Sequence, residues 1–162
     1  MHPVADGLLV REATSADAPA LLALVHAAFE EYRGRLEPPS GAHAETAASI
    51  RRKLDAGGAM VAVEGDVFVG CAFYQQELEH LYLGRLAVAP ERRGRGIARR
   101  LVECIEARAR GLGLARVRVG VRLALTQNRA YFERAGYAVT KLESHPGFMT
   151  ATSATMEKTI AT

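Results

Sequence analysis

Apolar residues recur along this chain with two periods, about every second residue and about every 3.6, and the places where one gives way to the other divide it into strands and helices. Residues 8–12 are short and apolar, like a strand. Thr14, Ser15, Asp17 and Pro19 follow, a cluster that starts helices, with proline tolerated in the first turn. The pattern then predicts a helix from about 15–17 with Leu21, Leu24, Val25, Ala28, Phe29 and Tyr32 on one buried face. His26 falls on its flank. A second helix is expected over 44–56, ended by Gly57-Gly58.

Two apolar runs, 59–64 and 67–76, are joined by Gly65-Asp66, which signals a hairpin. After a break near 77–79, a strand over 81–89 is closed by Pro90. A helix over 96–110 then carries Ile97, Leu101, Cys104 and Ile105 inward and stops at Gly111 and Gly113. In 114–122, Val117, Val119 and Val121 alternate with Arg116, Arg118 and Arg122, as in a half-buried strand. A short helix over 127–135 ends at Gly136, and strands over 137–143 and 151–160 complete the chain. The order β-α-α-β-β-β-α-β-α-β-β mixes hairpins with crossover helices. It predicts an α/β fold with a mixed sheet and helices on both faces, not a doubly wound parallel sheet.

Composition narrows the picture. With 162 residues, 49% hydrophobic and 24% charged, the chain is expected to be one folded domain spanning 1–162, its core built from aliphatic side chains because aromatics are only 6% and Trp is absent. The stretch 33–42 is too short to link two domains. Cys71 and Cys104 have no partners at ligand spacing, so neither a zinc site nor a disulfide framework is indicated, and no metal is expected. The N-terminal residues do not read as a secretory signal and no apolar run reaches about 18 residues, so a cytoplasmic protein without a membrane role is expected.

Charge is unevenly spread. Over 85–134 thirteen arginines stand against Glu91, Glu103, Glu106 and Glu133, a local balance of +9, which leaves −6 for the rest of a chain of net charge +3. Such asymmetry draws an anionic ligand to one half of the molecule. Within that half, Leu86-Ala87-Val88-Ala89-Pro90 leads into Arg93-Gly94-Arg95-Gly96-Ile97-Ala98, a strand that passes through a glycine turn into a helix start. Glycines lacking Cβ atoms let successive N–H groups converge on a phosphate at the positive end of the helix. The sequence has no GxxxxGK[ST], and Arg99 stands where a dinucleotide fingerprint needs its third glycine, so nucleotide triphosphatases and Rossmann enzymes are excluded.

These residues resemble the GCN5-related N-acetyltransferases (GNAT family), whose acetyl-CoA loop reads Arg/Gln-x-x-Gly-x-Gly/Ala after a strand ending in Leu-Ala-Val-x-Pro. Asn128-Arg129-Ala130-Tyr131-Phe132-Glu133-Arg134-Ala135-Gly136-Tyr137 is similar to the family's second segment, and the opening Val10-Arg11-Glu12-Ala13-Thr14 with Asp17 and the closing Met156-Glu157-Lys158 are similar to its ends. The resemblance implies a mostly antiparallel sheet of six to seven strands and an acetyl-CoA-dependent acyltransferase, acetyl-CoA being a co-substrate. The pyrophosphate would lie on Arg93, Gly94, Arg95, Gly96, Ile97 and Ala98, with Arg99 beside them. The pantetheine arm would pair with Leu86, Ala87 and Val88, and Asn128 and Phe132 would touch it from the far side. It also implies a bulge near 86–88 that splays this strand from 114–122, and a backbone N–H near Val88 that polarises the thioester.

The implied reaction is direct transfer to a primary amine of a small molecule or peptide, without a covalent enzyme intermediate. Where many members carry a proton-donating Tyr, four residues before the glycine, this chain has Phe132; Tyr131, one residue earlier, is the candidate acid. Glu79, His80 and Tyr82 are the candidates for handling the acceptor's proton, with Tyr82 holding a water. Strand alternation counted from Leu86 puts Tyr82 and Gly84 on one face and Leu83 and Arg85 on the other. The first two helices, their connection and the loop 144–148 would line the acceptor pocket, where Glu30, Glu31 and Glu37 would suit a cationic amine or simply form a polar helix end. Homodimers are common in the family. Two other readings are a CoA-binding module without turnover, motivated by Phe132, and nucleic-acid binding by the arginines, for which no accompanying motif is present.

Overall fold

The computed structural model describes residues 7–160. Its strands are β1 (Leu8–Glu12), β2 (Gly58–Glu64), β3 (Val67–Gln76), β4 (His80–Val88), β5 (Arg116–Arg122), β6 (Ala138–Glu143) and β7 (Ser153–Thr159). Its α-helices are α1 (Ala18–Phe29), α2 (Ala47–Ala56), α3 (Ile97–Gly111) and α4 (Thr126–Arg134). The strands form one sheet in the order β1-β2-β3-β4-β5-β7-β6. Every pairing is antiparallel except β4 with β5, which is parallel because α3 crosses between them.

Each face buries its own core. Leu81, Leu83, Val117, Val119 and Met156 pack beneath Leu101 and Ile105 of α3 and Phe132 of α4. On the other face Leu21, Leu24 and Val25 of α1 and Ile50 of α2 cover Val61, Cys71, Phe73 and Ala87. The 3.6-residue stripe of α1 is therefore buried at Leu21, Leu24, Val25 and Ala28, whereas Phe29 and Tyr32, at its end, are half-buried. Gly70 of β3 lets α3 approach closely, since a Cβ there would lie 2.7 Å from Ile97 Cγ2.

Helix starts follow capping chemistry. Asp17 accepts from Thr14 N–H at 2.7 Å and pairs with Arg11 at 2.9 Å, and a short 3₁₀ turn over Ser15–Asp17 precedes α1. The second helix begins three residues later than the sequence pattern predicts. Thr46 and Ser49 form a reciprocal capping box that fixes its start, and Gly41–Ala44 forms a separate 3₁₀ turn in which Ser40 accepts from Ala42 N–H.

Tertiary pairing dissolves most of the charge asymmetry seen along the sequence. Arg85, Arg92, Arg93, Arg108, Arg116 and Arg118 are paired with Glu45, Glu64, Glu31, Glu12, Glu79 and Glu157, all acids from outside the basic segment. Among the described residues no helix is long and apolar enough to cross a membrane, and no group of three or more His, Cys, Asp or Glu is gathered to hold a metal.

Candidate functional site

The site begins where β4 and β5 part. They pair only from His80 with Arg116 to Leu83 with Val119, after which each continues without the other. The cause lies in β4. Phe73 pairs with Gly84 but Cys71 pairs with Ala87, so β4 carries one residue more than its partner, and Arg85 there has φ +47°. This bulge kinks the strand away from β5. It falls at Arg85 and Leu86, just ahead of the expected 86–88, and it reverses the alternation. Leu81 and Leu83 face the α3 side, but beyond the bulge Leu86 and Val88 do so, while Ala87 and Ala89 join the α1 side. Counting alternation from Leu86 is thus corrected: Tyr82 and Gly84 lie on the face opposite Leu86.

The resulting slot opens into a cleft of about 810 Å³ that passes through the sheet, lined on one side by Ala28, Tyr32 and Ser40 and on the other by Ala98, Asn128, Tyr131 and Phe132. Leu86, Ala87 and Val88 line it between them. Ala89 N–H donates to Val69 O at 2.9 Å, toward β3, so the alternating N–H of Val88 points into the slot.

A smaller hollow of about 270 Å³ adjoins it over the start of α3, lined by Arg93, Gly94, Gly96, Ile97, Ala98 and Arg99 with Val88 and Tyr131. Gly94 and Gly96 both have φ +80°, a conformation that L side chains resist, and a Cβ at either would meet open space. The first N–H groups of α3 have no helical partner there. The arginines contribute less than their number suggests. Arg92 is held by Glu64 at 2.9 Å, and Arg93 turns back to Glu31 and to the carbonyl of Ala28 at 3.0 Å, capping α1. Arg95 is exposed and outside the hollow, and Arg99 is 78% exposed beside Glu103. The hollow is a main-chain anion cradle with charge at its rim, and it fits a diphosphate.

The polar side chains in the cleft come from several elements. Tyr82 of β4 reaches over Gly120, where a Cβ would lie 2.7 Å from its hydroxyl. Burial raises the pKa of both Tyr82 and Tyr131; a neighbouring Arg85 charge partly opposes this at Tyr82, and the charges of Glu103 and Glu106 add to it at Tyr131. Both are neutral phenols at neutral pH, able to donate a proton or hold a water. Phe132 is buried between Tyr131 and Tyr137, with ring centroids at 5.2 and 5.3 Å. Tyr32 interacts with the Asn128 side chain across the cleft, and burial raises its pKa.

Glu79 and His80 stand elsewhere. Glu79 is 76% exposed, paired with Arg116 at 3.0 Å and outside the cleft, because it precedes the parallel-paired start of β4. His80 sits beside it, also outside, its pKa lowered by burial and by Arg118. Neither cysteine lines the cleft, and burial pushes the Cys71 thiol up to about 12.

Tyr32, which the helical stripe counts as core, and His145 both line the cleft, within the connection and the loop expected at the acceptor pocket; Arg85 and Arg122 are the cleft residues that sequence reasoning missed. Arg85 Nε donates to Glu45 at 2.8 Å, and Glu45 also meets Lys53 at 3.5 Å. Arg122 donates to the carbonyl of Pro38, which ties the end of β5 to the 33–42 loop. His145 Nδ1 and the Thr152 hydroxyl are hydrogen-bonded. No local pattern announces Arg85 and Arg122, since their partners Glu45 and Pro38 are distant in sequence.

A main-chain phosphate cradle that leads into a slot between splayed parallel strands defines a class of acyl-CoA-using transferases. Residues 21–137 match the profile of the Acetyltransferase (GNAT) family. The chain belongs to that family, and its co-substrate is acetyl-CoA. No curated protein matches the chain by sequence. Among solved structures it is similar to the PaiA N-acetyltransferase from Thermoplasma acidophilum in complex with coenzyme A (TM-score 0.78, 16% identity, covering 94% of this chain and 98% of that one). It is likewise similar to the ribosomal-protein-S18-alanine N-acetyltransferase from Escherichia coli (0.77, 17%, covering 96% and 95%) and to yncA from Salmonella typhimurium with acetyl-CoA (0.74, 15%, covering 95% and 94%). At these identities the likeness is one of fold, and it spans nearly the whole of each chain.

Proposed function

We propose that this N-acetyltransferase moves the acetyl group from acetyl-CoA to a primary amine by direct attack, with residues 1–162 acting as one domain. The observation that carries the reading is the cleft through the sheet, which lets the thioester and the amine approach one point from opposite faces. In this reading the N–H groups of residues 93–98 hold the pyrophosphate, with Arg99 at the rim. The backbone of Leu86, Ala87 and Val88 pairs with the pantetheine arm, and Asn128 and Phe132 pack against it. The Val88 N–H polarises the thioester carbonyl. The amine nitrogen bonds to the carbonyl carbon, the C–S bond breaks, and Tyr131 gives its proton to the departing thiolate. A high thiol pKa and a position outside the cleft argue against Cys71 as a covalent relay.

The acceptor must lose a proton before it attacks. We assign this to a water held by Tyr82, with His145 as the imidazole that takes the proton; Glu79 is too exposed and too far along β4 to serve. The free thiols of Cys71 and Cys104 and the use of acetyl-CoA favour a cytoplasmic setting. The test is thiol release from acetyl-CoA across a panel of amines, with mass spectrometry of each product. N-acetylated product that accumulates with enzyme concentration supports the reading. Thiol release without acetylated amine, or none with tightly bound acetyl-CoA, would replace it with a hydrolase or a binding module.

A further inference from the structure

Opposite the glycine turn, the cleft carries more positive than negative charge. Lys53 of α2, Arg85 of β4 and Arg122 of β5 all line it. Behind them Glu45, only 4% exposed, is shared by two cations, Arg85 at 2.8 Å and Lys53 at 3.5 Å, so that group keeps a net positive charge. Arg122 is half-buried, and among the described residues no carboxylate lies within 4.0 Å of it. One N–H of its fork is spent on the Pro38 carbonyl. Partial burial lowers its pKa while the more distant Glu37, which does not line the cleft, opposes that. Glu31 is the carboxylate that does line the cleft, and Arg93 neutralises it. A second ammonium on an acceptor finds no partner here, whereas an anion finds an arginine with N–H groups to spare.

We propose that the acceptor is a primary amine that also bears an anionic group, a carboxylate or a phosphate, bound by Arg122 with Arg85 and Lys53 behind it. This rests on the transferase reading above and supplies its substrate class. The same charge surplus serves the chemistry. Nearby cations disfavour an ammonium and promote its loss of a proton, while the anionic group offsets the repulsion that would otherwise keep the amine out.

The test compares matched acceptors by thiol release: the common L-amino acids each against its carboxamide, phosphoethanolamine against ethanolamine, and spermidine as a polycation. The anionic member of at least one pair is expected to exceed its neutral counterpart by about 10- to 100-fold in kcat/KM. Whichever pair shows this distinguishes carboxylate from phosphate. In Arg122→Gln that ratio should collapse toward unity, and Arg122→Lys should restore part of it. Loosening of the 33–42 loop would slow both members of a pair and cancel in the ratio. Equal or faster transfer to neutral acceptors or spermidine, or a ratio unchanged in Arg122→Gln, overturns the inference. So does a panel with no acetylated compound while acetyl-CoA still binds by calorimetry, an outcome that leaves the cofactor site standing. Failure to bind acetyl-CoA at all would instead overturn the transferase reading itself.

Discussion

At the α3 end of the cleft the protein offers main chain: N–H groups at a helix start, two glycines at φ +80°, and arginine side chains that mostly turn away to other partners. At the other end it offers side chains: Arg85 and Lys53 held by Glu45, Arg122 by the Pro38 carbonyl and His145 by Thr152. The first end suits a ligand common to the whole family. Its geometry depends on a few residue types at fixed spacing and tolerates change elsewhere. The second end depends on side chains that α2, β4, β5 and the 144–148 loop bring together, and it is where acceptor choice is proposed to lie. Main-chain and side-chain recognition are thus separated by the thickness of one sheet.

The most direct way to break this comparison is Gly96→Glu. A side chain forced to φ +80° and a negative charge in the cradle should lower acetyl-CoA affinity by about 100-fold or more in a calorimetric titration. Gly96→Ala, which adds strain without charge, should cost about tenfold. Wild-type affinity in the Glu variant would move the phosphate site elsewhere.

Between the two ends stands Tyr131. Tyr131→Phe is expected to lower kcat by about 10²-fold with KM for acetyl-CoA unchanged, as loss of a general acid requires. Near wild-type turnover would remove that role and leave proton delivery to water.

The acceptor end makes a prediction in stability. Burial alone would raise the Glu45 pKa, but hydrogen bonds from Ser49 and Arg85 and the charges of Arg85 and Lys53 outweigh it and hold it below the usual value. A carboxylate depressed by folding adds stability above its unfolded pKa, near 4.5, and that contribution fades as pH falls through and below this value. Urea unfolding of the wild type should show this acid-side loss. Glu45→Gln should lack it and be less stable at neutral pH by about 2 kcal/mol, the partial exposure of Arg85 moderating the cost of a broken buried pair.

The smallest effect is expected away from the cleft. The Tyr137 hydroxyl donates to the buried Glu106 at 2.8 Å, while Lys158 also reaches that carboxylate at 3.2 Å. Tyr137→Phe should cost about 1 kcal/mol in thermal or urea unfolding and leave transfer unchanged. A large loss of activity would show that α4 and the cleft are tied to this network more tightly than packing suggests.

How far the sequence could be read follows the same division. Order and type of the strands and α-helices are set by local periodicity, caps and glycines, and these were legible; the 3₁₀ turns at Ser15–Asp17 and Gly41–Ala44 were not. The glycine turn was legible too, because a cradle of main chain advertises itself through Gly94 and Gly96, whereas Asn128 and Tyr131 came only through the family resemblance of 128–137, and the structure puts both along the cleft. The bulge position was not legible to the residue, since Arg85 takes a positive φ without being glycine. Nor was the arginine-rich segment's fate, because its neutralising acids, from Glu12 to Glu157, arrive only through folding. The Arg122 end of the cleft was hidden for the same reason: a regular Val/Arg alternation says which side chains leave the core, not what they meet.

The extra residue in β4 leaves a parity rule for anyone redesigning this enzyme. Up to residue 84 the even positions of that strand face α1, as Tyr82 and Gly84 do; from residue 87 the odd positions do, as with Ala87 and Ala89. A library that varied alternate positions throughout would therefore reshape one substrate's wall in its first half and the other's in its second.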